Sequence, residues 1–270
     1  MNVAVRAEFS LSDDELQVAA ARSAADDFPT VLSVWPRHGT IDELDAAFEA
    51  ATQALVARGL ITDGLVSSDL ASLLSTLCRP DRELAMRVVT PDGISRVSMA
   101  RRGSQGVLAR RVGDQFMLRA TENGIELDRA TQQLVAELPR AEAARLDPVG
   151  APLDAMTECL NDSHDPLHLA DRVRALGAEP RSAMMLGSAL ASRVAFAEIV
   201  YHPLSRDEDR ISRCPVAIAV FYTKRGRIVA APSASPSGEL WITLKAGSEH
   251  AIAQAIGQLI GLSIERWEDA

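Results

Sequence analysis

Hydrophobic positions along this chain change period several times, and each change marks the border of an element. The clearest stretch runs from Pro215 to Ile264. Val216, Ile218, Val220 and Tyr222 alternate with smaller neighbours, the period-2 pattern of a strand with one packed face. Lys224-Arg225-Gly226 supplies a basic turn, and Arg227 to Ala231 returns as the next strand. A loop rich in breakers, Pro232 to Gly238, precedes a third strand from Glu239 to Leu244. Ser248 then caps a helix in which Ile252, Ala255, Ile256, Leu259 and Ile260 form one stripe at 3.6-residue spacing.

The same patterns organise the rest of the chain. Val3, Val5, Ala7 and Phe9 alternate as a strand. Ser12-x-x-Glu15 is a capping box opening a helix through Ala25, and Thr40-x-x-Glu43 opens a second, with Leu44, Phe48, Ala51 and Leu55 on one face and Gly59 as its stop. Between them, Phe28 to Trp35 reads as a short buried strand with Pro29 near its start. A third helix follows from Ser68. Beyond Arg79-Pro80 the period falls to two, predicting four strands at Glu83–Thr90, Ile94–Arg102, Gly106–Val112 and Gln115–Ala120, joined by turns at Gly93, Gly103 and Gly113. A helix over Ile125–Leu138 closes this antiparallel meander, and Arg140 to Pro152 looks like a connection. Helices are then expected at Pro152–Leu160, Pro166–Leu176 and Pro180–Ala191, followed by strands at Arg193–His202 and Pro215–Tyr222 and the elements already described.

Helices, a four-strand meander and a closing helix therefore occur twice. The pattern predicts an α+β fold: one domain over residues 1–270 with two pseudo-symmetric halves, roughly 1–140 and 150–270, that share one core.

Composition narrows the function classes. Apolar residues make up 47% of the chain, enough for a substantial core. With 37 Asp and Glu against 28 Lys and Arg the net charge is −9, which argues against a general nucleic-acid or anionic-membrane binder. No apolar run reaches the roughly 18 residues of a membrane span, so membrane insertion is not expected and the cytoplasm is the expected location. Cys78, Cys159 and Cys214 are odd in number, widely spaced and set among apolar residues, as buried free thiols are.

Catalytic motifs are missing: there is no G-x-S-x-G elbow, phosphate-binding loop, H-E-x-x-H or dinucleotide fingerprint. Neither an enzyme nor a cofactor is expected; a hydrolase built on His202 or His250 has no orienting motif. His164 and His168, beside Asp162 and Asp165, have helical metal-ligand spacing, but Asp165-Pro166 fits an N-cap and first helical residue instead, and no metal is expected. Arg101, Arg102, Arg110, Arg111 and Arg119 fall on three successive strands. Alternation lets at most about three share a face, as an anion-binding row or as a solvated, edge-protecting surface. The run Arg206-Asp-Glu-Asp-Arg210 fits an exposed hairpin loop. In Pro180–Ala191, the residues Met184, Met185, Leu186, Ala189 and Leu190 cover more of the circumference than one core stripe needs. Such a helix is either buried between layers or partly open to a partner, and its periodicity favours burial.

At this point the chain resembles the EspG family, cytosolic secretion chaperones of actinobacterial type VII (ESX) systems. The likeness rests on Phe28-Pro29-x-Val31-Leu32, Arg79-Pro80-Asp81-Arg82-x-Leu84, Arg101-Arg102-Gly103, Gly113-Asp114, Leu176-Gly177, Ala197-Glu198-Ile199-Val200, Gly226-Arg227-Ile228-Val229, and Gly247-Ser248 before Ala251-Ile252-Ala253, in that order and spacing. The resemblance implies two pseudo-symmetric halves around a central sheet with helical bundles. It implies a non-enzymatic chaperone that grips the apolar tip of a PE/PPE heterodimer, keeps it soluble and delivers it to the secretion machinery. The client contacts it implies map to Ser182, Met184, Met185, Leu186, Ala189 and Leu190, and to the turn holding Asp92 and Gly93. A rival reading is a scaffold or regulatory protein of the same fold that self-associates, as a weak homodimer, through the second-half helices.

Overall fold

The structure is a computed structural model that describes residues 7–25, 27–161, 163–205, 210–211 and 214–269. Most of the expected strand at residues 3–9, Asp162, and Arg206 to Asp209 of the acidic run lie outside these. The chain forms two compact units. One comprises the described residues up to Ala85 with Ile94–Glu126, the other Met86–Gly93 with Leu127–Asp269.

In the first unit, strand β1 (Glu8–Ser12) leads into helix α1 (Asp13–Arg22) through the expected capping box: Ser12 Oγ accepts from Glu15 N at 3.1 Å and Glu15 Oε2 accepts from Ser12 N at 2.9 Å. The box at Thr40 and Glu43 likewise opens helix α2 (Ile41–Ala57). A two-residue hairpin, β2 (Ile61–Thr62) and β3 (Leu65–Val66), follows, and then helix α3 (Ser68–Cys78). The meander is β4 (Arg82–Thr90), β5 (Gly93–Arg102), β6 (Gln105–Val112) and β7 (Gln115–Ala120). β1 pairs antiparallel with β7, so the strand order is β1-β7-β6-β5-β4. Leu11, Leu16, Leu55, Leu70, Leu74, Leu77 and Phe116 form the core beneath the helices.

The segment Phe28–Trp35 is not the expected strand. Thr30–Leu32 is a single 3-10 turn, and Ser33 is left-handed at φ +54°. Leu32 is fully buried, as a strand there would have it. Its carbonyl and that of Ser33, however, accept hydrogen bonds from the Arg111 guanidinium instead of a neighbouring strand. One long side chain takes the place of a ladder, and the backbone is free to turn.

In the second unit helix α4 (Leu127–Ala136) is followed by strand β8 (Val149–Pro152), helices α5 (Leu153–Leu160), α6 (Pro166–Ala175) and α7 (Pro180–Ala191), and strand β9 (Arg193–Ser205). Then come β10 (Arg210–Ile211), β11 (Ile218–Thr223), β12 (Gly226–Ala234), β13 (Leu240–Ala246) and helix α8 (Glu249–Gly261). The strand order is β4-β9-β11-β12-β13-β8, with β10 beside β9. α8 covers β9, β11 and β12 with its stripe of Ile252, Ala255, Ile256 and Leu259, and packs against α4. β8 falls within what the sequence offered as a connection. Val149 and Ala151 point inward and its flanking prolines are tolerated because this is an edge strand.

The fold is α+β and antiparallel, and the order strand, helices, four-strand meander, helix runs through it twice. In each run the added strand, β1 or β8, pairs with the last strand of the meander that follows it.

Candidate partner-binding surface

α6 and α7 form a tight antiparallel hairpin. Asp165 caps α6, its Oδ1 accepting from Leu167 N and His168 N at 2.8 Å each, with Pro166 as the first helical residue. Asp165 therefore serves the helix start, and among the described residues no group of three His, Cys, Asp or Glu is placed to hold a metal. The three cysteines are buried and free, and burial pushes the Cys159 and Cys214 thiols above their ordinary range.

α7 spans the expected residues, Pro180–Ala191, but its apolar side chains divide. Leu186 and Leu190 are fully buried, Ala189 nearly so, and Ser182 is held inward with Oγ donating to Asp147 Oδ2 at 2.8 Å. Met184 is 50% exposed and Met185 is half-buried. Of the six α7 residues that the family resemblance implies as client contacts, Met184 and Met185 are the two with substantial exposed surface. An aspartate at position 186 would test the core, since the leucine there has no exposed surface.

Asp92 and Gly93 are exposed in the β4–β5 turn, where Thr90 Oγ1 donates to Gly93 O at 3.2 Å. Next to that turn the second unit has an open apolar depression of about 590 Å³. Val89, Thr90 and Pro91 border it from the end of β4. Val194 and Phe196 line it from β9, Phe221 from β11, and His164 from the approach to α6. Phe196 and Phe221 are paired across the β9–β11 ladder, so both rings leave the sheet on the same face. Val194 and Phe196 keep 49% and 37% of their surface exposed, large values for apolar residues in a strand. Two arginines frame the rings: Arg87 lies 5.9 Å from the Phe196 centroid while pairing with Glu198 at 3.4 Å, and Arg193 lies 5.8 Å from that of Phe221.

Sequence reasoning singled out the turn and the methionines as candidates but not Val194, Phe196 and Phe221. The signal was present in β9, where Ala197 and Ile199 are fully buried in the core. Val194 and Phe196 occupy the alternate positions, where a sheet with one solvated face would carry polar residues.

A profile of the EspG family matches residues 12–258. The chain belongs to the EspG family. The match begins at the α1 cap and ends within α8, so it takes in both meanders, the β4–β5 turn and the α6–α7 hairpin. Among EspG relatives, the ESX-3 secretion-associated protein EspG3 of Mycolicibacterium smegmatis is 27% identical over 251 residues, covering 92% of this chain and 85% of that protein. EspG3 of Mycobacterium tuberculosis is 25% identical over 270 residues, covering 92% and 89%. Of solved structures, the M. tuberculosis type VII secretion system chaperone EspG5, in complex with the PE25–PPE41 dimer, superposes with a TM-score of 0.80 at 15% identity over 97% of this chain and 99% of that one.

Proposed function

We propose that this EspG-family chain is a chaperone that binds a PE/PPE heterodimer in the cytoplasm and carries it to a type VII secretion system, with no catalytic step and no cofactor. The observation that carries this reading is the apolar depression of Val194, Phe196 and Phe221 beside the β4–β5 turn. A monomer seldom leaves aromatic and β-branched side chains open on a sheet face without a use for them. An apolar helical tip seated there removes both apolar surfaces from water. Asp92 and Gly93 would bound the tip on the turn side, and Met184 would add an adaptable contact from α7. Support comes from family membership and from the chaperone of like fold in complex with the PE25–PPE41 dimer. No described helix is long and apolar enough to cross a membrane.

Co-expression of the tagged chain with PE/PPE pairs from its own genome, followed by pull-down and size-exclusion chromatography, tests the reading. A complex with one copy of each protein is expected. Phe196→Asp should weaken capture by about 30-fold or more, the loss expected of a central anchor. It should leave a cooperative melting transition. Retention of no pair by the wild-type chain, or equal capture by a folded Phe196→Asp variant, would reject the surface. A chain that sediments instead as a dimer independent of clients would favour the scaffold reading.

A further inference from the structure

The second unit carries another cavity of about 590 Å³ that shares no residue with the apolar depression and differs from it in chemistry. Its walls are the segment 141–146, the second and third turns of α7 and the β11–β12 turn, contributing Glu142, Arg145, Met185, Ala189, Lys224 and Arg225 among others. Three of these side chains are basic and one is acidic, on a chain whose net charge is −9. Arg145, Lys224 and Arg225 are all exposed, and among the described residues none of them has an acidic partner. Arg37, Arg58, Arg87, Arg111 and Arg174, by contrast, each pair with a carboxylate.

The frame presenting these cations is fixed. Thr223 Oγ1 accepts from Arg225 N at 3.0 Å and donates to Gly226 O at 2.7 Å. Gly226 has φ +111°, and a Cβ there would lie 2.7 Å from Ala144 N, so the turn rests directly on the backbone of the opposite wall. That wall is tied down in turn: Arg227 N donates to Glu142 O at 2.7 Å and Ala144 N donates to Arg227 O at 2.9 Å. The buried Arg227 side chain donates from Nε to Gly247 O at 2.6 Å. Holding the backbone in place lowers the ordering cost that a flexible basic loop would impose on binding.

We infer that this cavity docks an acidic peptide segment carrying an apolar side chain, borne by a protein other than the client at the apolar depression. The cations supply charge complementarity to Asp and Glu side chains. The half-buried Met185, beside the buried Ala189, gives an apolar floor that a bare inorganic anion leaves unused, while the carboxylate of Glu142 works against a compact, multiply charged ion. The volume lies within the range of roughly 300–1,000 Å³ in which ligand sites fall. Met185 and Ala189 belong both to this cavity and to the residues the family resemblance implies for the client, so the test uses the two turn residues.

The test is fluorescence anisotropy of the full chain with a labelled ten-residue peptide of Asp and Glu flanking a Leu-Phe pair. Its Asn/Gln isostere and inorganic phosphate serve as comparison probes. The acidic peptide should bind at least about ten-fold tighter than the isostere and weaken as salt rises from 0.05 to 0.3 M. Lys224→Glu/Arg225→Glu should lose about ten-fold or more while melting as the wild type does and still capturing a PE/PPE pair. No binding, equal binding of the isostere, or an undiminished double variant would overturn the inference. So would displacement by phosphate at concentrations where chloride of equal ionic strength has no effect, because that marks a bare-anion site. Since peptide binding and client capture are read separately, either proposal can fail without the other.

Discussion

Arg111 donates in four directions from a position 3% exposed: Nε to Gly113 O at 2.9 Å, Nη1 to the carbonyls of Leu32 and Ser33, and Nη2 to Asp13 Oδ2 at 2.8 Å. Its guanidinium also lies 4.9 Å from the centroid of the buried Phe116 ring. Asp13 is shared with the exposed Arg37, whose Nε is 3.1 Å from the same oxygen. Only a planar, permanently charged fork fits all of these acceptors, and a lysine ammonium in that place covers one or two. Arg111→Ala is expected to cost about 3–5 kcal/mol, because it leaves a buried carboxylate, the buried Leu32 carbonyl and the half-buried Ser33 carbonyl short of a partner. Urea unfolding measures this directly. A loss below about 1 kcal/mol would mean that water replaces the guanidinium cheaply. In the sequence this residue is one of five arginines on successive strands, offered as an anion row or a solvated face. Alternation assigns Arg111 to one face of β6 but does not say which face meets α1 and the 30–33 turn.

At the scale of elements the α6–α7 hairpin turns on Gly187. A Cβ at that position would lie 2.6 Å from Ala170 N and 2.7 Å from Pro166 O, distances that require the helices to part. Helix propensity alone favours alanine there by about 1 kcal/mol. The clash reverses the sign, and Gly187→Ala should destabilise the protein by roughly 2 kcal/mol. In a chain of this length that lowers Tm by roughly 4–8 °C in a thermal scan, and a rise would show that α6 yields without cost. What the sequence disclosed and withheld about elements follows the same logic. Capping boxes and period changes are local, so α1, α2, α7 and the first meander were legible almost to their ends. Asp63-Gly64 was an equally local hairpin signal, with both residues at positive φ, and it joins β2 to β3. β8 and the 3-10 turn depend on distant partners, β13 and Arg111, and nothing within either segment announces them. The candidate surface divides in the same way. Periodicity marked α7 as apolar on most sides, but only the packing of α6 decides that Leu186 is interior and Met184 is not.

For the molecule as a whole, charge and apolar exposure lie in different places. The chain carries an excess of nine negative charges, yet the surface proposed for the client is built of Val194, Phe196 and Phe221, and the second cavity gathers Arg145, Lys224 and Arg225 around the β11–β12 turn and the segment facing it. Two partners held by different forces respond differently to the same solvent. Burial of apolar surface is little screened by salt, whereas contacts between exposed charges weaken once the Debye length falls to a few ångströms. Capture of a PE/PPE pair should therefore change by less than about three-fold between 0.05 and 0.5 M NaCl, with a negative heat-capacity change on binding. Isothermal titration at several temperatures and two salt concentrations measures both quantities. A client affinity that collapses with salt, with no heat-capacity change, would place the client on the charged surface and remove the apolar depression from its role. Salt-resistant capture beside salt-sensitive peptide binding, in one preparation of the wild-type chain, would establish that this EspG-family protein has two chemically distinct docking surfaces.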